Sequence, residues 1–469
     1  MTVENGARPF GIRDKIGYLF GDFGNDFTFI LSSGFLLKFY TDVMHVSAGV
    51  VGIVMMIARF ADAFTDVTMG RLCDRARPTE NGKFKPWILR MCGPVAISSF
   101  LIYQSSFAQS PMWFRILWLI VTYILWGSIF YTSINIPYGS MASTISREPK
   151  DRQSLSTFRT MGSTLAGVIV GAGVPLVAYD TRIVNGTQVA ELNGPRFTLI
   201  AGVFSALAVI CYLICYLLCT ERVIPDPVAK SERSSVKGLI TEAVSNRALI
   251  SIIVASVLML MSQFTLQQMA NYVYPDYYAN TGAQSASTIA MMLGMIVAAA
   301  TARPLAERFG KAEISVVSNF VAAAVCFGLF FIRPQNVWVY VAVNFFSWLG
   351  LGVFAMVSWA LITDVIDYSE IKNGVREDGS IYALYSFARK LGQAGAAGLS
   401  GLFLTLIGYE KVVGGALPDR VREGIFSVST FVPAIGFVLL AAVLWFWYPL
   451  NKSVVEKNVN ILRKKHADE

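Results

Sequence analysis

Histidine is almost missing from this chain of 469 residues: His45 ends one apolar segment, and His466 lies near the C-terminus. Two such separated residues exclude a histidine-based metal centre or a nucleophile–histidine–acid triad. Cysteine is scarce as well, and none of the six falls in a segment read below as external, so no disulfide framework is expected. Cys211, Cys215 and Cys219 share one helical face, yet no histidine or carboxylate joins them, and packing is the expected role. No nucleophile–base pair or phosphate-binding loop appears, so neither an enzyme nor a resident cofactor is expected. Charge is short too. Only 15% of residues are charged, 54% are hydrophobic and mean hydropathy is +0.53, which excludes a soluble protein of this length and implies a polytopic membrane protein.

What is present is a series of apolar runs near 15–40, 46–70, 87–107, 112–140, 158–179, 197–219, 248–275, 285–304, 314–332, 337–363, 381–408 and 425–449, predicting twelve transmembrane helices. The basic start MTVENGARPFGIRDK lacks a cleavage site, so the first run is read as a retained helix. An even number of spans puts both termini on one side. With them inside, only Arg115, Arg182, Arg196, Arg333, Lys411, Arg420 and Arg422 fall in outer loops, and the remaining loop lysines and arginines are inner; both termini are expected in the cytoplasm, at a cell inner membrane. The net charge of +8 sits where anionic lipid favours it and calls for no nucleic acid.

An internal repeat follows from two similar phrases after helices 2 and 8, GRLCDRARPTENGKFKPW and ARPLAERFGK. Aligning Asp74 with Glu307 gives an offset of 233 residues, about half the chain, and predicts two pseudo-symmetric six-helix bundles. Their expected bounds are 1–220 and 248–450, with a cytoplasmic linker at 221–247 and a tail at 451–469.

Charge inside the apolar runs marks candidate functional residues. In 46–70, VSAGVVGIVMMIARFADAFTDVTMG, residues Arg59, Asp62 and Asp66 gather within about 60° on a helix. Ionisable groups at membrane depth are costly and typically face a protein interior or a watery cavity. The offset carries Asp62 and Asp66 onto Met295 and Ala299, so these acids belong to the N-terminal half alone, as ligand-binding acids more naturally do than structural glue. Asp22 and Asp26 lie four residues apart in helix 1, Asp26 being a second candidate site acid, whereas Asp42 at the outer end reads as an interfacial cap. Helix 4 ends in YTSINIPYGSM, with Thr132, Asn135 and the helix-breaking Pro137; Trp126 and Tyr131 offer aromatic faces that suit sugar rings. Arg159 begins helix 5, and Lys390 lies about ten residues into helix 11, too deep to snorkel easily. Below helix 10, Asp364, Asp367 and Glu370, followed by Arg376, are expected to form a cytoplasmic gate with Arg147 and Arg152 below helix 4.

The phrases GDFGND at 21–26, FYTDV at 39–43, ARFADAFTDVTMG at 58–70, GKFKPW at 82–87, INIPYGSM at 134–141 and DVIDYSEIKNGVR at 364–376 resemble the glycoside–pentoside–hexuronide:cation symporter family of the major facilitator superfamily, in order and over almost the whole chain. The resemblance implies an all-α major facilitator fold. It implies a cation site at Asp62 and Asp66 with Thr132, sugar-binding roles for Asp26 and Arg159, and the helix 11 lysine at Lys390. Three positions depart from the melibiose-carrying member, which has Asp at Asn135, Trp at Gly139 and Asn at Thr65; they bear on the choice of sugar and cation.

The expected function is therefore symport of a glycoside, pentoside or hexuronide with one Na⁺ or H⁺ by alternating access, the protein working as a monomer. Mutual repulsion of two adjacent carboxylates suits a proton, whereas carboxylates with the hydroxyls of Thr65 and Thr132 form the oxygen cage a hard cation such as Na⁺ prefers; Asn135, Tyr131 and Trp126 complete the sugar candidates, and Arg59 is the charge partner. A drug/proton antiporter of the same fold would use the same acids but favour a large apolar cavity. A non-transporting sugar sensor would need a signalling domain that these short tails do not provide.

Overall fold

In a long apolar run the backbone finds no water to bond, so it satisfies its own amides and carbonyls as helix. The computed structural model, which describes residues 8–184, 187–223, 246–373, 378–410 and 416–468, is helical almost throughout. It divides into two units, Met1–Ser231 with Leu404–Leu417, and Glu232–Phe403 with Pro418–Glu469. Unit 1 holds α1 (Ile12–Asp42), α2 (Ala48–Arg75), α3 (Lys85–Ile102), α4 (Met112–Ile145), α5 (Pro149–Val177) and α6 (Gly194–Leu218). Unit 2 is built on α7 (Arg247–Tyr277), α8 (Thr281–Phe309), α9 (Lys311–Ile332), α10 (Val337–Asn373), α11 (Asp378–Leu406), α12 (Asp419–Trp447) and α13 (Lys452–Asp468). Each of the twelve expected segments falls on one of α1–α12.

Among the described residues, ten of these helices are long and apolar enough to cross a membrane; α1 and α11 match them in length but are less apolar. Apolar windows clip charged helix ends, which is why α5 begins at Pro149 rather than near 158 and α10 runs on to Asn373 rather than ending near 363. In unit 1, α1 packs against α5 and α6; in unit 2, α10 packs against α8 and α9, and α12 against α7 and α9. A hairpin that the run-length reading does not predict, β1 (Tyr179–Val184) and β2 (Thr187–Leu192), joins α5 to α6. Asp180 at its base accepts from the Asn193 amide at 2.7 Å and pairs with Arg196 at 2.9 Å. The Asn193 bond first, and then Arg196, hold the Asp180 carboxyl below the usual carboxylate range.

The expected linker and tail are more tightly bound than composition suggests. Residues 224–245 of the linker lie outside the described residues, but Glu221, Arg222 and Val223 are built into unit 1. Arg222 pairs with the fully buried Asp14 at 2.9 Å, and the Val223 amide donates to the Thr144 carbonyl at 2.9 Å. Glu221 accepts from the backbone amides of Lys83, Phe84 and Lys85 at 3.0, 2.8 and 2.7 Å, supplying the cap that the start of α3 does not draw from its own N-cap residue, Phe84. Gly82, at φ +103°, permits this twice over: its backbone is left-handed, and a Cβ there would meet the Glu221 carboxyl carbon at 2.6 Å. The C-terminal segment is the helix α13, whose Lys452 amide donates to Glu313 at 2.9 Å and whose Lys452 ammonium donates to the Glu307 and Arg308 carbonyls at the end of α8.

Asp42 is not an interfacial cap. It is buried at 7% exposure, pairs with the fully buried Lys38 at 2.9 Å, and accepts from the Tyr409 hydroxyl at 2.7 Å. Lys38 also donates to Tyr409 at 2.9 Å, so Lys38, Asp42 and Tyr409 close a three-membered polar cluster within unit 1. One turn of helix between Lys38 and Asp42 is the i,i+4 spacing that makes the pair, a signal the end-of-helix reading passes over.

Glu221→Ala removes the acceptor of the three backbone amides at the entry to α3 and is expected to destabilise unit 1 by ~1–2 kcal/mol. A lower melting temperature of the detergent-purified protein checks this, and an unchanged one would remove Glu221 from the cap.

Candidate functional site

The site is assembled where α2 lies against α4. On α2, the i,i+3,i+7 spacing puts Arg59, Asp62 and Asp66 on one stripe, and the Arg59 guanidinium pairs with Asp62 at 3.6 Å while lying 4.9 Å from the Phe29 ring centroid. On α4, the stretch Leu125–Tyr131 is wound as a π-helix and ordinary α-helix resumes at Thr132. A π turn inside a helix re-aims the side chains around it and often marks a working site. Here it presents two hydroxyls to two carboxylates. Ser128 Oγ donates to Asp62 Oδ1 at 2.6 Å, and Thr132 Oγ1 lies 3.0 Å from Asp66 Oδ1 and 3.2 Å from the Gly127 carbonyl. Both hydroxyl residues are 3% exposed. Gly127 faces the same acid, a Cβ there lying in ordinary contact with Asp62 Oδ1 at 3.6 Å.

Each hydroxyl has one hydrogen and two lone pairs, so one that donates to an ionised carboxylate still presents lone pairs outward. The chemistry of the set is thus oxygen only, two carboxylates and two hydroxyls, as a hard monovalent cation or a proton requires. Thr65 is differently placed: its hydroxyl donates back to the Asp62 carbonyl at 3.1 Å, as mid-helix threonines do. Ser128 is the member that sequence reasoning misses; its spacing of four from Thr132, matching Asp62 to Asp66, is the signal that finds it.

A second group lies on α1, α4 and α5. Arg159, expected to face a ligand, is paired with Asp22 at 2.9 Å and lies 5.4 Å from the Tyr138 ring. Asp22 is 6% exposed, and its role is invisible when Asp26 alone is singled out. Asp26 is half-buried, stands beside Ser163 and forms no ion pair among the described residues. Asn135 accepts from Asn25 at 3.4 Å, and Tyr212 in turn donates to Asn25 at 2.9 Å. Trp126 is 1% exposed and stacked between Tyr123 and Tyr131, so it packs the site's wall rather than presenting its face; Tyr131 also stacks on Phe29. Across both groups, Arg59 pairs with Asp62 and Arg159 with Asp22.

Lys390 lies half-buried on α11 in unit 2, next to Arg389, which stacks over Trp359 and Tyr385. Asp364 is paired with Lys311 of its own unit at 2.6 Å. Arg147 is exposed, and Arg152 donates to the Ser146 carbonyl at 2.9 Å. Glu370 is 5% exposed and Asp367 half-buried on α10; Arg376 lies outside the described residues.

The family model of the MFS/sugar transport protein matches residues 17–452. An uncharacterized symporter, YjmB, of Bacillus subtilis (strain 168) is 28% identical over 468 residues, covering 99% of this chain and 98% of that protein. A glucuronide carrier protein homolog of Escherichia coli (strain K12) is 29% identical over 462 residues, covering 97% of each. Among solved structures, a bacterial homolog of the human lysosomal transporter Spinster superposes with a TM-score of 0.65 at 12% identity, covering 95% of this chain and 97% of that one, and shows a shared fold.

The Asp22–Arg159 pair makes a stability prediction. Arg159→Gln strands a buried carboxylate; because the Arg159 side chain is 40% exposed the effect is screened, and a loss of roughly 1–3 kcal/mol is expected. Adding Asp22→Asn should restore most of the melting temperature, and a double variant no better than the single one would deny the pairing its role.

Proposed function

Because this chain belongs to the MFS/sugar transport protein family, and within it to the glycoside–pentoside–hexuronide symporters, we propose that it carries one monovalent cation, Na⁺ or H⁺, together with its sugar. The observation that carries this reading is the double contact of Asp62 with Ser128 and Asp66 with Thr132. Two carboxylates one turn apart in an apolar segment are costly without a cation. The hydroxyls that hold them leave lone pairs for one. Neutralising these carboxylates lets the bundle isomerise between its two accessible states at lower cost. A membrane potential of ~100 mV contributes about 2.3 kcal/mol per charge moved, roughly fifty-fold accumulation before any concentration gradient is added.

Asp26 is the proposed acceptor of sugar hydroxyls, with Asn135 and the Arg159–Asp22 pair fixing its surroundings; Lys390 is the corresponding cationic residue of unit 2. A relative named as a glucuronide carrier supports a sugar acid among the substrates. The excess of basic residues in one set of loops supports cytoplasmic termini at the inner membrane, and the complete set of oxygens within one chain supports function as a monomer.

Uptake of labelled pentosides, galactosides, glucosides and uronides, with and without Na⁺, identifies substrate and cation together. Asp62→Cys or Asp66→Cys is expected to abolish concentrative uptake while sugar binding or exchange survives; wild-type accumulation by either variant would take that acid out of the coupling site. Ser128→Ala is expected to raise the cation concentration for half-maximal uptake about tenfold, by removing one oxygen at ~1–1.5 kcal/mol. Asp26→Ala should weaken sugar binding by ~2 kcal/mol, the worth of a charged hydrogen bond; unchanged affinity in a folded variant would assign Asp26 to the cation or to packing.

A further inference from the structure

Unit 2 carries a buried polar cluster of a different kind, uncharged and built of amides. It lies at the end of α7 remote from Arg247 and at the start of α8. Gln268, Asn271, Gln284 and Tyr274 are 3%, 3%, 4% and 1% exposed. Gln268 and Asn271, three residues apart, lie within about 60° on α7, and Gln284 Nε2 donates to Asn271 Oδ1 at 2.7 Å. Tyr274 stands beside Ser287 of α8 and Asn344 of α10. Among the described residues, three of the cluster's polar atoms have no hydrogen-bond partner: Gln268 Oε1, Gln284 Oε1 and the Tyr274 hydroxyl. Such atoms are rare because each costs free energy, and more so in a helix long and apolar enough to cross a membrane. The backbone is irregular at the same place, where α7 passes into a π-helix at Val273–Tyr277 around Pro275. Irregular backbone at membrane depth is tolerated where it is buried in protein or lines a watery cavity.

The unmet atoms are two carbonyl acceptors and one phenol, which is both donor and acceptor. Their natural complement is a neutral ligand with several hydroxyls. Tyr274 also opens an aromatic series, with ring centroids 5.7 Å to Tyr340, 5.5 Å from Tyr340 to Tyr278 and 5.6 Å from Tyr340 to Phe426. Amides beside aromatic faces combine directional hydrogen bonds with an apolar surface, the two components of a polar-ligand pocket.

We propose that Gln268, Asn271, Gln284 and Tyr274 form a second binding site, in unit 2, for the uncharged hydroxyl-bearing ring of a glycoside. The class of ligand rests on the sugar-symport reading, whereas the site stands on the unmet polar atoms. A site made to bond hydroxyls discriminates strongly against analogues that lack them, because its own amides are then left unpaired.

The test uses the full-length protein in detergent and equilibrium binding of radiolabelled methyl β-D-xyloside and methyl β-D-glucuronide, which share ring hydroxyls and differ in charge. Gln268→Leu and Gln284→Met keep side-chain volume and remove the acceptors. Each is expected to raise the dissociation constant of both probes at least tenfold, with half-maximal Na⁺ or H⁺ activation of uptake unchanged. Unchanged dissociation constants in variants that melt at or above the wild-type temperature would mean an internal water cluster only, and would overturn the proposal. No saturable binding of either probe to wild-type protein would overturn it as well. Binding with the expected variant effects but uptake indifferent to every cation would instead sink the symport reading and leave this site standing.

Discussion

A carboxylate in hydrocarbon has to be answered from within its own molecule, and the inner helices of unit 1 are arranged around that demand. Asp62 is met by Arg59 and Ser128, Asp66 by Thr132, and Asp22 by Arg159. Each answer constrains backbone as well as side chain. The π turn in α4 brings Ser128 and Thr132 to the two acids of α2. Remove the acids and that local winding has no purpose, since an unbroken α-helix would cross the same distance with better hydrogen bonds.

Two clusters of buried polarity, α2 with α4 in unit 1 and α7 with α8 in unit 2, use different chemistry. Unit 1 uses ionised groups, which respond to charge entering or leaving. Around α7 and α8, unit 2 uses amides and a phenol, which respond to hydrogen-bonding shape and little to charge.

Much of this was legible in the sequence. The twelve apolar runs fall on α1–α12, and ten of these are long and apolar enough to cross a membrane, because such a segment can satisfy its own backbone in lipid. The stripe of Arg59, Asp62 and Asp66 was readable from spacing. What escaped depended on partners far away in the chain. Ser128 looks like any small helix residue until Asp62 is found 2.6 Å away, and Arg159 looks free until Asp22 is found opposite it. Asp42 read as a cap because its position at a helix end was considered without Lys38 one turn earlier. The hairpin after α5 was hidden by a search for long runs, although the Asn-Gly at 185–186 between two short polar stretches is a turn signal in its own right. The gate acids were read without Lys311, which reaches Asp364 from 53 residues away.

The cap on α3 also sets an order on biosynthesis. The amides at 83–85 wait for an acceptor that the ribosome adds at Glu221, and Asp14 waits for Arg222 directly after it. Translation therefore completes the lower fastenings of unit 1 in its last few residues, before any of α7 has been made. The Lys38–Asp42 pair waits longer, until Tyr409 emerges after most of unit 2. For the interval between, Lys38 and Asp42 stand without their third member while the fastenings of Asp14 and of the amides at 83–85 are already available.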